Sequence, residues 1–217
     1  MEDLEIENKL KGFWEQLVFS YNGDKQIMND CWDELASYYT NPQRYYHNFD
    51  HIDTIVKLIE EGKRHILNEQ ALFFAAFYHD IIYDITQTNN ELRSALIAEK
   101  RLKELHVDAG VINLTAKIIR QTAGHQKSGL FDVDLFLDFD RCILSAQEED
   151  YQDYAARIRK EYSIFSDKIY VAARIKMLSQ YLDQPEIYYT PLMKGRENAA
   201  RQNIKKELEV LMAQKTS

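Results

Sequence analysis

Glycine and proline are scarce in this 217-residue chain, which contains seven glycines and three prolines. An all-β fold needs many tight turns, and these two residue types form a large share of such turns. The segments between the few breakers are instead rich in Leu, Ala, Glu, Lys and Ile, which favour helices. The sequence therefore predicts an all-α protein. Because no Pro/Gly/Ser-rich linker divides the chain, we expect residues 1–217 to form a single domain.

Long apolar runs and cysteines are also scarce. The longest apolar run, ALFFAAFY at residues 71–78, is far too short to cross a bilayer, and the acidic N-terminus lacks the apolar core of a signal sequence. The two cysteines, Cys31 and Cys142, have no CxxC spacing and suit a reducing compartment. These features predict a cytoplasmic protein without a membrane partner.

Basic residues are outnumbered by acidic ones, 27 Lys and Arg against 35 Asp and Glu, so the formal net charge is -8. Nucleic-acid polymers bind basic faces that displace their counterions, and this balance disfavours such a partner. A small anionic molecule stays compatible with the sequence if the attracting charge is local or carried by a metal ion. The long amphipathic terminal helices are compatible with a homodimer, but the sequence leaves the oligomeric state open.

The stretch FYHDIIYD, residues 77–84, places His79 and Asp80 inside an apolar segment. Because residues 71–84 lack a polar stripe, we expect one buried helix with this dipeptide in its middle. A buried carboxylate without partners costs several kcal/mol, so Asp80 needs a partner there. A lone His–Asp pair is most often a hydrogen-bonded structural couple, but a divalent cation could also accept one atom from each side chain.

Two further stretches carry groups of the same chemistry. His51 lies in the first turn of a helix that we expect to open with Asp50 as its N-cap, and Asp138 and Asp140 interrupt a short apolar helix. The wide separation of these stretches along the chain puts each on a different helix. The sequence therefore predicts a metal site in the core of a helical bundle.

This ordered set of residues resembles the HD superfamily of metal-dependent phosphohydrolases, which are all-helical proteins. The stretches YYHNFDHI, AAFYHDIIYD, IIRQTAGHQ, FLDFDRCILS and IYYTPLMKGRENAARQNI are similar to an uncharacterised bacterial branch of predicted HD phosphohydrolases. The resemblance covers most of the chain and implies a helical bundle of the HD type with a metal ion in its core. The metal ligands that it implies are His51, His79, Asp80 and Asp140. Asp138 is the alternative to Asp140, since two residues so close on a helix cannot point the same way.

A set of two histidines and two aspartates suits a divalent ion with open water positions, and Mn²⁺, Fe²⁺, Co²⁺, Ni²⁺, Zn²⁺ or Mg²⁺ all stay open. A metal-bound water can supply hydroxide at neutral pH while the ion offsets charge on a phosphoryl group. The resemblance thus implies hydrolysis of a phosphoester or phosphoanhydride in a small phosphorylated, nucleotide-like molecule, with Asp80 in the catalytic centre.

Several supporting roles follow from position along the chain. Asp84 would lie one turn beyond Asp80 if the helix continued, where it could carry a proton. The candidates for contact with the substrate phosphate are the residues that flank or extend the motifs, Arg44, His47, His125 and Arg141. The two histidines among them could also reach a second metal ion.

Two other functions stay open at this stage. One is a non-catalytic HD domain that binds a nucleotide or acts as a sensor. The other is a di-iron oxygenase on the same scaffold, which would need additional ligands such as His47 and His125. The sequence distinguishes neither the substrate nor the number of metal ions, because specificity lies in the shape of the pocket.

Overall fold

The computed structural model describes residues 2–21 and 24–215, and within them all regular secondary structure is helical. It comprises eleven α-helices and two 3-10 helices, so the all-α prediction is confirmed. The α-helices are α1 (Glu2–Phe19), α2 (Lys25–Tyr39), α3 (Phe49–Gly62), α4 (Glu69–Tyr78), α5 (Asn90–Glu104), α6 (Ala109–Thr122), α7 (Phe131–Asp140), α8 (Glu148–Glu161), α9 (Asp167–Asp183), α10 (Pro191–Lys194) and α11 (Glu197–Lys215). The 3-10 helices are Lys63–His65 and Cys142–Ser145.

Contacts between Cα atoms divide the chain into two compact units, residues 1–137 and 138–217. The division falls inside α7, which begins in the first unit and ends in the second. The expectation that the whole chain forms one domain stays a prediction. Among the helices that the structure describes, none has both the length and the apolar character needed to cross a membrane, and the cytoplasmic location stays a prediction as well.

The first unit is built around α4. This helix packs against α3, α5 and α6, and α3 also packs against α1. All residues from Ala71 to Tyr78 are buried, as their sequence indicates. Trp14 of α1 meets Phe77 edge to face with 5.3 Å between ring centroids, a geometry that aromatic pairs prefer. The core of this unit therefore encloses α4 from Ala71 to Tyr78.

In the second unit, α11 packs against α9 and against the 3-10 helix at Cys142–Ser145. Arg174 of α9 forms two hydrogen bonds with Glu207 of α11, at 2.8 and 3.0 Å, and the two side chains are only 5% and 10% exposed. The hydroxyl of Tyr151 on α8 also donates to Glu207, at 2.6 Å. A buried ion pair with a further hydrogen bond thus joins the three helices.

Most helix boundaries agree with the periodicity of the sequence. The apolar periodicity and the breakers predict one helix over about residues 25–39, ending at Asn41-Pro42, and another over about residues 167–183. Helices α2 and α9 agree with these predictions. The same pattern predicts that the first helix stops at the stretch NGD, residues 22–24, of which Asn22 and Gly23 lie outside the described residues. The expected N-cap of α3 is wrong: Asn48 takes this position, and its side chain accepts a hydrogen bond from the backbone N–H of Asp50. Asp50 is thus already inside the helix.

The expected helix over residues 71–84 is also wrong, because α4 ends at Tyr78. His79 is its C-cap, and Asp80 lies in the turn that follows. Two backbone groups beyond Tyr78 have partners outside α4. The N–H of Ile82 donates to Oγ of Ser94 at 3.1 Å, and the carbonyl oxygen of Ile81 accepts from Arg44 at 2.8 Å. These long-range bonds replace the helical ones and turn the chain at the dipeptide.

Candidate metal centre

Helices α3 and α4 bring two buried imidazoles together. His51 lies in the first turn of α3, and His79 caps the C-terminus of α4. Their Nε2 atoms are 3.2 Å apart, and the two residues are only 5% and 1% exposed. Residues distant in sequence thus present nitrogen atoms to the same small region, as the spacing of the motifs predicts.

A backbone carbonyl fixes the orientation of the His79 ring. Its Nδ1 lies 3.0 Å from the carbonyl oxygen of Ala76, which can only accept a hydrogen bond. We therefore assign the proton of neutral His79 to Nδ1, which leaves the lone pair on Nε2. Metal-binding histidines commonly have this arrangement, in which the second nitrogen donates to a carbonyl or carboxylate.

The third member of the group is Asp140, the last residue of α7. One ligand atom from each of His51, His79 and Asp140 lies within 4.8 Å of the others, and this group could hold a metal ion. His51 and His79 are buried and Asp140 is half-buried, so the side chains are shielded from bulk water. The donors are two imidazole nitrogens and a carboxylate oxygen, which suit divalent transition metals.

Asp80 lies beside this group rather than among its three members. Its Oδ2 is 3.1 Å from Nε2 of His79 and 4.0 Å from Nε2 of His47, and its side chain is 18% exposed. Because α4 ends at Tyr78, His79 and Asp80 are not the neighbours within one helix that the sequence predicts. The role of Asp80 as a fourth ligand and catalytic residue stays a prediction, which its distance from His79 supports.

Asp138, the alternative to Asp140, is fully buried and anchors a different segment of the second unit. Its Oδ1 accepts from the backbone N–H of Tyr189, and its Oδ2 accepts from the backbone N–H and the hydroxyl of Thr190, all at 2.7–2.8 Å. Burial raises the pKa of this carboxyl, although these hydrogen bonds and nearby Arg141 act in the opposite direction. Both oxygens of Asp138 are therefore engaged with residues 189–190.

His47 lies at the edge of the group through its contact with Asp80. Its ring stacks on Tyr83 with 4.2 Å between centroids and meets the His51 ring edge to face at 5.8 Å. The structure therefore brings His47 close to two of the predicted ligands. Its predicted contact with a substrate or a second metal ion stays a prediction.

The two arginines that flank the motifs are buried. Arg44 is 8% exposed and donates to the backbone carbonyls of His47, Asp80 and Ile81. Arg141 is 3% exposed and approaches Asp138, with its guanidinium carbon 4.7 Å from the centre of the Tyr189 ring. The contacts shown are thus with the protein itself, and the predicted contacts with a substrate phosphate stay predictions.

Asp84 and His125 do not belong to the group of described residues that could hold a metal ion. The carboxylate of Asp84 accepts from the backbone N–H and the hydroxyl of Thr86, and these hydrogen bonds lower its pKa. The helical continuation that would have placed it one turn from Asp80 does not exist. His125 follows α6 with a φ of 45°, in the left-handed region. The roles of Asp84 and His125 stay predictions.

Fold and site together define an all-helical protein with a largely buried His–His–Asp group that could hold a metal ion. Comparisons with known proteins add no relative: no family model matches the chain, and no curated protein or solved structure matches it either.

Proposed function

We propose that this protein is a metal-dependent phosphohydrolase of the HD type that acts on a small phosphorylated, nucleotide-like molecule. The observation that carries the proposal is the convergence of His51, His79 and Asp140, whose ligand atoms lie within 4.8 Å of one another. The order of these residues along the chain is also the one that the resemblance to HD proteins implies. Helices α3, α4 and α7 would then form the metal-binding part of an HD-type bundle.

The residues present fit a divalent metal ion. In the assigned tautomer, Nε2 of His79 is an acceptor. The carboxylate of Asp80, also an acceptor, lies 3.1 Å from it, and Nε2 of His51 lies 3.2 Å from it. A divalent cation held by these groups would offset the repulsion between the lone pair of His79 and the carboxylate of Asp80. In the proposal Asp80 completes the ligand set beside His51, His79 and Asp140. When bound, the ion would acidify a water molecule and offset charge on the phosphoryl oxygens.

The surrounding residues of the chain would orient the reacting groups. The carbonyl of Ala76 holds the His79 ring, which keeps Nε2 directed at His51 and Asp80. His47 is the predicted substrate contact with the best support, because its Nε2 lies 4.0 Å from the Asp80 carboxylate. From this place its imidazole could donate a hydrogen bond to Asp80 or to a phosphate oxygen.

The proposal is tested by metal analysis and by a panel of phosphorylated substrates. The purified protein is analysed for its metal content and then assayed with added Mn²⁺, Co²⁺, Ni²⁺ or Mg²⁺. We expect Asp80→Ala to lose both bound metal and turnover, by at least about 100-fold, because a ligand is removed. The matched control is Asp30→Ala, since Asp30 is exposed on α2 and accepts a hydrogen bond from Gln26.

Three results would contradict the proposal. Wild-type turnover by Asp80→Ala would place the hydrolysis elsewhere. Bound metal without turnover on any substrate would favour a non-catalytic binding domain. Bound iron with a visible iron–oxygen absorption band would favour the oxygenase. Circular dichroism of each variant shows whether its helices are retained.

A further inference from the structure

Arg44 connects two segments that are far apart in the sequence. It lies between α2 and α3, in the segment that leads to His51, yet its guanidinium reaches the turn after α4. Its Nη1 donates to the carbonyl oxygen of Asp80 at 2.7 Å and to that of His47 at 3.2 Å. Its Nη2 donates to the carbonyl oxygen of Ile81 at 2.8 Å. One buried side chain therefore binds both the backbone that precedes α3 and the backbone that follows α4.

Two tyrosine rings hold the guanidinium in place. Its central carbon is 4.8 Å from the ring centre of Tyr39 and 5.7 Å from that of Tyr83, which are distances of cation–π contact. The hydroxyl of Tyr39 donates to the carbonyl of Phe77 at 3.0 Å, in the last turn of α4. The end of this helix is thus bound by two side chains that precede α3.

The geometry of these contacts requires an arginine. The last carbonyls of a helix and those of the following turn have no partner within the helix, so a buried helix end needs donors from elsewhere. A planar guanidinium can donate from two nitrogens to the consecutive carbonyls of Asp80 and Ile81 at once. A lysine side chain carries all its donors on a single nitrogen atom at the end of a flexible stem, so it cannot donate to both carbonyls in this planar arrangement.

We propose that Arg44 is a positioning residue for the metal centre. It fixes the backbone of Asp80 relative to the segment that enters α3, and thereby sets the distance between the ligands of α3 and those at the end of α4. The inference rests on the proposed function only in requiring that the site binds a metal ion. Since the guanidinium binds main-chain carbonyls and two rings, we assign it to this role and not to the substrate phosphate.

The test measures Co²⁺ binding rather than activity. Metal-free wild type, Arg44→Lys and a control are titrated with Co²⁺, and the visible absorption band reports both the affinity and the coordination geometry. The control is Arg101→Lys: Arg101 of α5 is also partly buried and binds Glu34 through two nitrogens, at 2.7 and 3.0 Å. The thermal unfolding midpoint of each metal-free variant shows how much stability is lost.

We expect Arg44→Lys to bind Co²⁺ at least about 10-fold more weakly than wild type and to show a shifted visible band, as happens when residues that orient metal ligands are replaced. Arg101→Lys should keep the wild-type affinity and band even if its unfolding midpoint falls. If Arg44→Lys does not fold, Arg44→Gln, which retains a donor, is measured in the same way with the same expectation.

Three outcomes would overturn the inference. A Co²⁺ affinity and spectrum of Arg44→Lys that equal those of wild type would reject the positioning role while leaving the metal site intact. An equal loss of affinity in Arg101→Lys would show a general effect of lower stability. A wild-type protein that binds no Co²⁺ or other divalent metal ion would reject this inference and the proposed function together.

Discussion

Nε2 of His51 lies 3.2 Å from Nε2 of His79, although the two residues belong to different helices. Since Nδ1 of His79 is directed at the carbonyl of Ala76, the space between the two rings can be bridged by a proton from His51 or by a metal ion. Either bridge ties α3 to α4. The metal ion would also bind the native protein more tightly than the unfolded chain, where these residues are far apart.

Metal ions should therefore stabilise the folded protein. At about 100 times the dissociation constant, a ligand specific for the native state raises the free energy of unfolding by about 2.7 kcal/mol. We expect Mn²⁺ or Co²⁺ to raise the thermal unfolding midpoint of the wild type and a chelator to reverse this. His79→Ala should abolish the rise, whereas His65→Ala should retain it because His65 is exposed. An equal rise in the His79→Ala protein would show that the ion binds elsewhere.

The buried ion pair between Arg174 and Glu207 should be essential for the stability of the second unit. Arg174→Met leaves Glu207 without its main partner, and breaking a buried pair in this way costs about 3–5 kcal/mol. Lys206→Met is the matched control on α11, since Lys206 and Glu148 form an exposed pair that contributes less than about 1 kcal/mol. Urea unfolding followed by circular dichroism measures both changes. An equal loss of unfolding free energy in the two variants would show that the Arg174–Glu207 pair contributes no more than the exposed pair.

Glu197 should make the stability of the protein depend on pH. Burial alone would raise the pKa of its carboxyl, but hydrogen bonds from the backbone of Tyr188 and Ile187 and from Arg201 outweigh this and hold the pKa below the usual 4.5. A lowered pKa means that the stabilising contribution is present above pH 4.5 and is lost as the pH falls through the folded-state value.

We therefore expect Glu197→Gln to lower the free energy of unfolding by about 1–3 kcal/mol at pH 7. The difference from wild type should shrink as the pH falls below 4.5. Denaturant unfolding at several pH values measures this, and Glu209→Gln, a change at an exposed position of α11, should have little effect. A difference that stays constant between pH 7 and the acid range would contradict the assigned charge interaction.

The helical class and many helix boundaries could be predicted from the sequence because they depend on local patterns. Residues 25–39 and 167–183 end where breakers or caps stand nearby in the chain, and they are helical as expected. The meeting of His51 with His79 could also be predicted, because polar residues inside apolar helices need partners in the same core. In both cases the residue types of the segments concerned are enough to predict the structure.

The end of α4 could not be predicted in this way. The backbone of Ile81 and Ile82 bonds to Arg44 and Ser94, which lie on other segments. The pattern of residues 71–84 gives no indication of these contacts. The separate role of Asp138 likewise depends on Tyr189 and Thr190, some fifty positions further along the chain. Contacts of this kind follow from tertiary packing, which overrides local propensity.

The position of His79 at the C-terminal cap of α4 has an electrostatic consequence. The aligned peptide dipoles of a helix leave roughly half a negative charge at its C-terminus. A cation held by His79 would lie at this favourable end of α4. A phosphate anion would be repelled from the same end of the helix, so it could approach the histidine pair only with the positive ion between them.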